Sequence, residues 1–270
     1  MISLFFIFCD NVYADIIYKD INKPNFDLDE IPLLVLQERA KTGDKKAEYL
    51  LALHKVHGDQ EEKGVEMLEQ LAASGILDAD ESLYRISKWI KIKSLTKEKA
   101  LAYLKQGADG GYAVSQYELA LVYERGELAS KDLEKSHYWM ESAAKQGYEE
   151  ALTITASDYF MGVGVPRNDV KGFEWLMKAY GMLGRHFKQW GMLAAAYEVG
   201  RGTPIDLAKA YMCYDLLGTA GIEEKARIAP HMTPEQRAEG LRLSQEWQEK
   251  NHVYTMQSLG LTRQKDGSYQ

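Results

Sequence analysis

Several residue groups have types and spacings that could carry chemistry. His54 and His57 lie three apart, with Asp59, Glu61 and Glu62 close behind. Imidazole beside carboxylate suits a metal, but a metal site needs a third convergent ligand, and the spacing designates none. A solvent-facing histidine pair without metal is the expectation. Gly162-Val163-Gly164 and Gly200-Arg201-Gly202 are short glycine-rich turns. A nucleotide-binding loop needs a third glycine and a preceding strand, so these read as closures between paired helices. Ser94-Leu95-Thr96-Lys97, Ser157-Asp158 and Lys41-Thr42-Gly43 have the types of a serine acyl-transfer site. There, however, the Ser-x-x-Lys element comes first and Lys-Thr-Gly last; here the order is scrambled. No nucleophile, base and orienting group emerge together, so no enzyme and no cofactor are expected.

Composition narrows the field further. Lys and Arg total 33 against 40 Asp and Glu, a net charge of -7. That acidity argues against nucleic acid as a partner, because phosphate binding needs clustered basic residues. Six prolines in 270 residues, with 46% hydrophobic content, favour a helical, well-buried chain. The two cysteines, Cys9 and Cys213, are too few for a disulfide framework, and Cys213 reads as a small buried hydrophobe. Leu4-Phe5-Phe6-Ile7-Phe8, followed by Val12-Tyr13-Ala14, has the form of a secretory signal peptide. Residues 1–14 are therefore expected to be cleaved after Ala14, with a periplasmic or secreted product and no integral membrane segment left; a cytoplasmic chain is the alternative.

The elements that would position these residues are visible as an internal repeat. Gly43, Gly75, Gly111, Gly147, Gly184 and Gly221 recur at intervals of 32 to 37 residues. Each closes a helical segment, as glycine just past a helix end does by adopting the left-handed conformation. Lys63, Lys99, Lys135, Lys171 and Lys209 each open one of those segments, with Thr96, Asp132 and Asp206 three residues earlier as N-caps. Stripes such as Trp139, Met140, Ala143 and Ala144, or Trp175, Leu176, Ala179 and Tyr180, give the amphipathic period. A second helix precedes each segment, with a small residue at Ala52, Ala120, Ala156 and Ala194 and a tyrosine nearby at Tyr159 and Tyr197. The second repeat is irregular: Tyr84 takes the small place and Ile90 the glycine place, and a basic loop follows at 91–98. Thr233-Pro234-Glu235-Gln236 predicts a capping-box helix over 233–250.

This pattern resembles Sel1-like repeats, relatives of the tetratricopeptide repeat. Ala151 to Gly164, then Asp169, Lys171, Trp175-Leu176, Ala179 and Gly184, carry the likeness best, and Ser115 to Gly147 carries it equally. The resemblance covers about 29–250 and implies an all-α, right-handed α-solenoid of antiparallel helix pairs. The expected organisation is an extended segment at 15–28, a half repeat at 29–43, repeats at 44–75, 76–111, 112–147, 148–184 and 185–221, the capping helix, and a tail at 251–270. It further implies a protein–protein interaction scaffold whose first helices line the concave side. The alternative it suggests is an immunity protein against a phospholipase-type toxin.

The expected function is thus a non-catalytic adaptor of the bacterial cell envelope whose partner is a protein or peptide, a toxin effector being one case, with an enzyme or a binder of cell-wall fragments as the remaining alternative. The candidate groove consists of first-helix positions outside the stripe that packs on the partner helix. These are Leu50, Leu53 and His57; Ser82, Ile86 and Trp89; Glu118, Leu121 and Arg125; Ile154, Ser157 and Met161. A merely solvated face would carry mostly charge there, whereas most of these are apolar, and contiguous apolar surface marks interaction sites.

Overall fold

The computed structural model describes residues 33–256 and 258–261. The expected leader 1–14 with its cleavage point, Cys9, the segment 15–28, the start of the half repeat at 29–32 and the end of the tail lie outside the described residues. The described chain is all-α, with no strand among these residues, and divides into two compact units, Met1–Tyr103 and Leu104–Gln270.

In the first unit α1 (Leu33–Lys41) packs on α2 (Lys45–His57), α2 on α3 (Glu61–Ala73), and α3 on α4 (Leu77–Trp89). Asp44 caps α2 by accepting from the backbone N–H groups of Lys46 and Ala47 at 3.1 and 3.2 Å. The basic loop after α4 turns its apolar members Ile92 and Leu95 inward, while Ser94 donates a hydrogen bond to Glu62. Its lysines therefore stay outside a small satellite core. Helix α5 (Lys97–Asp109) follows, and Thr96 accepts from the Lys99 N–H at 3.3 Å.

In the second unit the pairs are α6 (Ala113–Arg125) with α7 (Leu133–Lys145), α8 (Glu149–Met161) with α9 (Asp169–Leu183), and α10 (Trp190–Val199) with α11 (Leu207–Leu216). Asp132, Asn168 and Asp206 cap the second helix of each pair, accepting from Lys135, Lys171 and Lys209 N–H groups at 3.0 Å in every case. The capping role of Asn168 belongs to the same series as the two aspartates. The recurring lysine has a second use: Lys135, Lys171 and Lys209 place their ammonium groups 5.5, 5.2 and 5.3 Å from the ring centres of Tyr123, Tyr159 and Tyr197. A cation over an aromatic face is attracted by the ring quadrupole, so the lysine and tyrosine of each repeat form one contact between paired helices. Ala120, Ala156 and Ala194 are fully buried, as expected of small residues where helices approach closely.

The anchor glycines Gly43, Gly75, Gly111, Gly147 and Gly184 have positive φ. Gly221 does not: its φ is -95°, and a Cβ there would lie 1.8 Å from the Tyr214 carbonyl oxygen. Close approach, rather than a left-handed turn, requires glycine at that end. Helix α11 accordingly stops at Leu216 instead of running on to Gly221. A 3-10 turn at Gly218–Gly221 and α12 (Ile222–Ile228) then lead into α13 (Pro234–Asn251), which packs on α11. The Thr233–Gln236 capping box is formed in both directions, at 2.9 and 3.2 Å. Trp175 is only half-buried, and the closed members of its stripe are Leu176 and Ala179. Cys213 is buried, and desolvation pushes its thiol well above the ordinary range, which suits the apolar role read from the sequence.

Candidate protein-interaction surface

The first helices of the second unit share one register when counted back from the glycines that close them, Gly126, Gly162 and Gly200. Eight residues before these stand Glu118, Ile154 and Met192; five before, Leu121, Ser157 and Ala195; one before, Arg125, Met161 and Val199. Such positions lie on one helix face. Glu118, Leu121, Ile154, Ser157 and Met192 are half-buried, while Arg125, Met161, Ala195 and Val199 are exposed. Met161 and Val199 keep 69% and 65% of their surface in solvent. The lower walls of this face pack on the main apolar core, which Leu121, Ile154 and Met192 all touch.

Across the three helices the face changes character. On α6 it is charged at both ends. On α8 and α10 a small residue, Ser157 or Ala195, stands between larger apolar ones. Tyr117, beside the charged end, lies 4.8 Å from the Tyr148 ring. Its hydroxyl titrates above the ordinary tyrosine value because of burial and the nearby Glu150 and Glu118 carboxylates. Met192, Ala195 and Val199 are not among the positions expected from the sequence; the 3-10 turn at Gly184–His186 shifts α10 along the chain, and their register follows from Gly200.

Four of the expected groove residues belong to the core instead. Leu50, Leu53, Ser82 and Ile86 are buried. Helix α2 is packed by α1 and α3 and buries Ala47, Tyr49, Leu50, Leu51, Ala52, Leu53 and Val56 around its circumference, the mark of an enclosed helix. Ser82 is taken up by the Tyr49 hydroxyl, 2.8 Å away. Ile86 was placed one residue out of register: the equivalent of Leu121 on α4 is Arg85. His57 is half-buried, and Trp89 is 78% exposed.

The polar clusters of the second unit are structural ties. His137 Nδ1 lies 2.9 Å from Asp158, and the Tyr159 hydroxyl donates to Glu141 at 2.8 Å. Burial together with that carboxylate pushes Tyr159 up to about 12. Near α13 a cavity of about 550 Å³ is lined by Asp215, Lys225, Gln248 and Tyr254 among others. There Ser244 donates to Asp215 at 2.6 Å and Lys225 pairs with the same carboxylate at 2.5 Å. The serine proton and the lysine are both directed to Asp215, an arrangement that does not activate a nucleophile. Among the described residues no group of three or more His, Cys, Asp or Glu could hold a metal ion, and no helix is long and apolar enough to cross a membrane. The two glycine-rich turns are helix-pair closures: Gly164 packs on the Leu133 carbonyl and Gly202 on that of Asp169.

Stacked antiparallel helix pairs with small residues at their contacts, caps before each second helix and glycine closures define an α-solenoid repeat protein. The sequence profile of the Sel1 repeat matches residues 97–112, 113–148, 150–181 and 191–221, so the chain carries Sel1 repeats over that stretch. The chitin synthase regulator SKT5 of Malassezia restricta is 28% identical over 162 residues, 55% of this chain and 11% of the relative. Chitin synthase regulatory factor 3 of Schizosaccharomyces pombe is 30% identical over 124 residues, 43% of this chain and 13% of that one. The chain thus spans little more than a tenth of the curated relatives it matches. Among solved structures, a protective antigen of uropathogenic Escherichia coli with an SLR fold superposes with a TM-score of 0.61. It has 22% identity, covering 81% of this chain and 48% of the other. A Sel1 repeat protein from Oxalobacter formigenes gives 0.55 at 18% identity, covering 68% and 77%. At these identities the structures establish the fold alone. Sel1 repeats serve in general as protein-interaction scaffolds rather than catalysts.

Proposed function

We propose that this chain is a non-catalytic scaffold that holds a segment of another protein across the face formed by α6, α8 and α10. The observation that carries this reading is the solvent exposure of Met161 and Val199 beside Ile154 and Met192, on helices whose cores are otherwise complete. Leaving that apolar surface in water has a cost of about 25 cal/mol for each Å², which a bound partner would recover. The relatives named as regulators of chitin synthase support a role exercised on another protein. The immunity alternative rests on the repeat resemblance, small size, acidity and the N-terminal apolar run, and neither of the relatives above is named as an immunity protein. A photo-crosslinking residue at Ala195 should give a covalent adduct with one defined partner in cells, whereas the same residue at Tyr138, exposed on α7, should not. Adducts of equal yield at both positions, or none at Ala195, would remove the proposal. The proposal includes export: intact mass of the protein from its native cells should place the mature N-terminus at Asp15, and a product retaining Met1 in the cytoplasm would reverse the compartment.

A further inference from the structure

The cavity beside α13 has polar groups that are fixed in place by one another. The Thr255 backbone N–H donates to Gln248 Oε1 at 2.7 Å, and Gln248 Nε2 donates to Ser244 Oγ at 3.0 Å. Ser244 donates to one Asp215 oxygen at 2.6 Å, and Lys225 donates to the other at 2.5 Å. Gln248, Ser244 and Asp215 are buried. This relay ties the segment after α13 to α13 itself, and α13 to α11 and α12. Groups held in this way need little ordering when a ligand arrives. The rest of the lining is of two kinds. Leu241, Tyr254 and Leu259 bring apolar surface, and each keeps about half of it in solvent. Gln245, Glu249 and Ser258 bring further hydrogen-bonding groups. At about 550 Å³ the cavity is within the range of small-molecule sites.

The chemistry of this lining selects among ligands. Asp215 and Lys225 neutralise each other, and Glu249 leaves one negative charge over, so an anion is repelled. A wholly apolar ligand would strip water from the polar groups without replacing its hydrogen bonds. A hydroxyl group both donates and accepts, so it can join the relay without breaking the ion pair. Each Asp215 oxygen accepts one of the bonds above and has lone-pair capacity for a second. A pyranose ring has hydroxyls around its edge and C–H groups on its faces, and the faces suit an aromatic ring such as that of Tyr254. We propose that this cavity is a binding site for an uncharged pyranose carbohydrate, with Asp215, Gln245 and Glu249 receiving its hydroxyls and Tyr254 one of its faces. The site shares no residue with the face of α6, α8 and α10, so the outcome of crosslinking at Ala195 does not bear on it.

Saturation-transfer NMR on the full chain tests the proposal with three uncharged trisaccharides, cellotriose, maltotriose and triacetylchitotriose. At least one should bind. Sorbitol, which has the hydroxyls without the ring, should bind about tenfold more weakly, as should trigalacturonate and trilysine. Tyr254→Ala should weaken the bound trisaccharide about tenfold, whereas Tyr138→Ala, which removes an exposed tyrosine from α7, should leave it unchanged. Gln245→Ala, at an exposed site on α13, should cost about threefold and reads the cavity even if Tyr254→Ala frees the segment after α13. Binding of none of the three sugars overturns the proposal. So does binding of sorbitol, trigalacturonate or trilysine as tight as the best sugar, equal loss from Tyr254→Ala and Tyr138→Ala, or no loss from Gln245→Ala.

Discussion

Replacing Gly202 with alanine is expected to destabilise the second unit by about 3–5 kcal/mol, the sum of a left-handed backbone penalty and a forced overlap. Gly202 holds φ at +72°, and a Cβ there would lie 1.9 Å from the Asp169 carbonyl oxygen and 2.9 Å from the Phe173 Cβ. The obstacle is the first turn of α9, so relief requires moving a helix rather than a side chain. The same loop is fastened by Arg201, which pairs with Asp169 at 3.0 Å, donates to the Phe160 carbonyl and lies over the Phe160 ring. Displacing Gly202 therefore also loosens this clasp. Because repeat stability is summed from neighbouring contacts, the loss should show as early melting of α8 to α11 in hydrogen exchange as well as a lower denaturation midpoint. Gly181→Ala is the control: nothing lies within 4 Å of its Cβ position, it sits inside α9, and alanine there should be neutral or stabilising by up to about 1 kcal/mol. Should Gly202→Ala melt like Gly181→Ala, the loop does not bear on α9 as described.

Asp80→Asn should have the opposite sign. Asp80 lies on α4 with no solvent-exposed surface, and neither carboxylate oxygen has a hydrogen-bond partner. Desolvation raises its pKa to about 7. Among the groups near it, Tyr103 is close enough for the Asp80 charge to oppose ionisation of the hydroxyl. In the unfolded chain the carboxyl releases its proton near pH 4, whereas the folded protein keeps that proton until about pH 7. Between those values the folded state binds more protons, so stability falls as pH rises, and the loss is complete above about pH 7. The full shift corresponds to about 4 kcal/mol. Local relaxation and water entry reduce this, so Asp80→Asn should add about 2 kcal/mol at pH 8 and almost nothing at pH 4. Chemical denaturation at the two pH values measures it; equal effects at both would mean that Asp80 is ionised and solvated in the folded protein.

Much of the architecture is local in origin and was therefore legible without the fold. Glycine closures, Asp132 and Asp206 caps, the Thr233–Gln236 box and the 3.6-residue stripes each depend on residues within a turn or two of one another. The lysine and tyrosine recurrences were equally visible as pattern, but their meeting as cation–aromatic pairs between paired helices needed three dimensions. The groove divided along the same line. Leu50 and Ile154 occupy the same place in their repeats and are both aliphatic, so periodicity assigns both to one face. Leu50 is closed over on α2, whereas Ile154 stays half-exposed on α8. Asp80 shows the limit most sharply: its charge and its place on an amphipathic helix suggest a solvated position, yet it is buried without a partner. Sequence alone determined the helix pairs, their ends and the family, since these follow from backbone hydrogen bonding and short-range spacing. Only the tertiary structure decided which apolar faces remain open and which acid is buried, because burial depends on what residues distant in the chain pack against each helix.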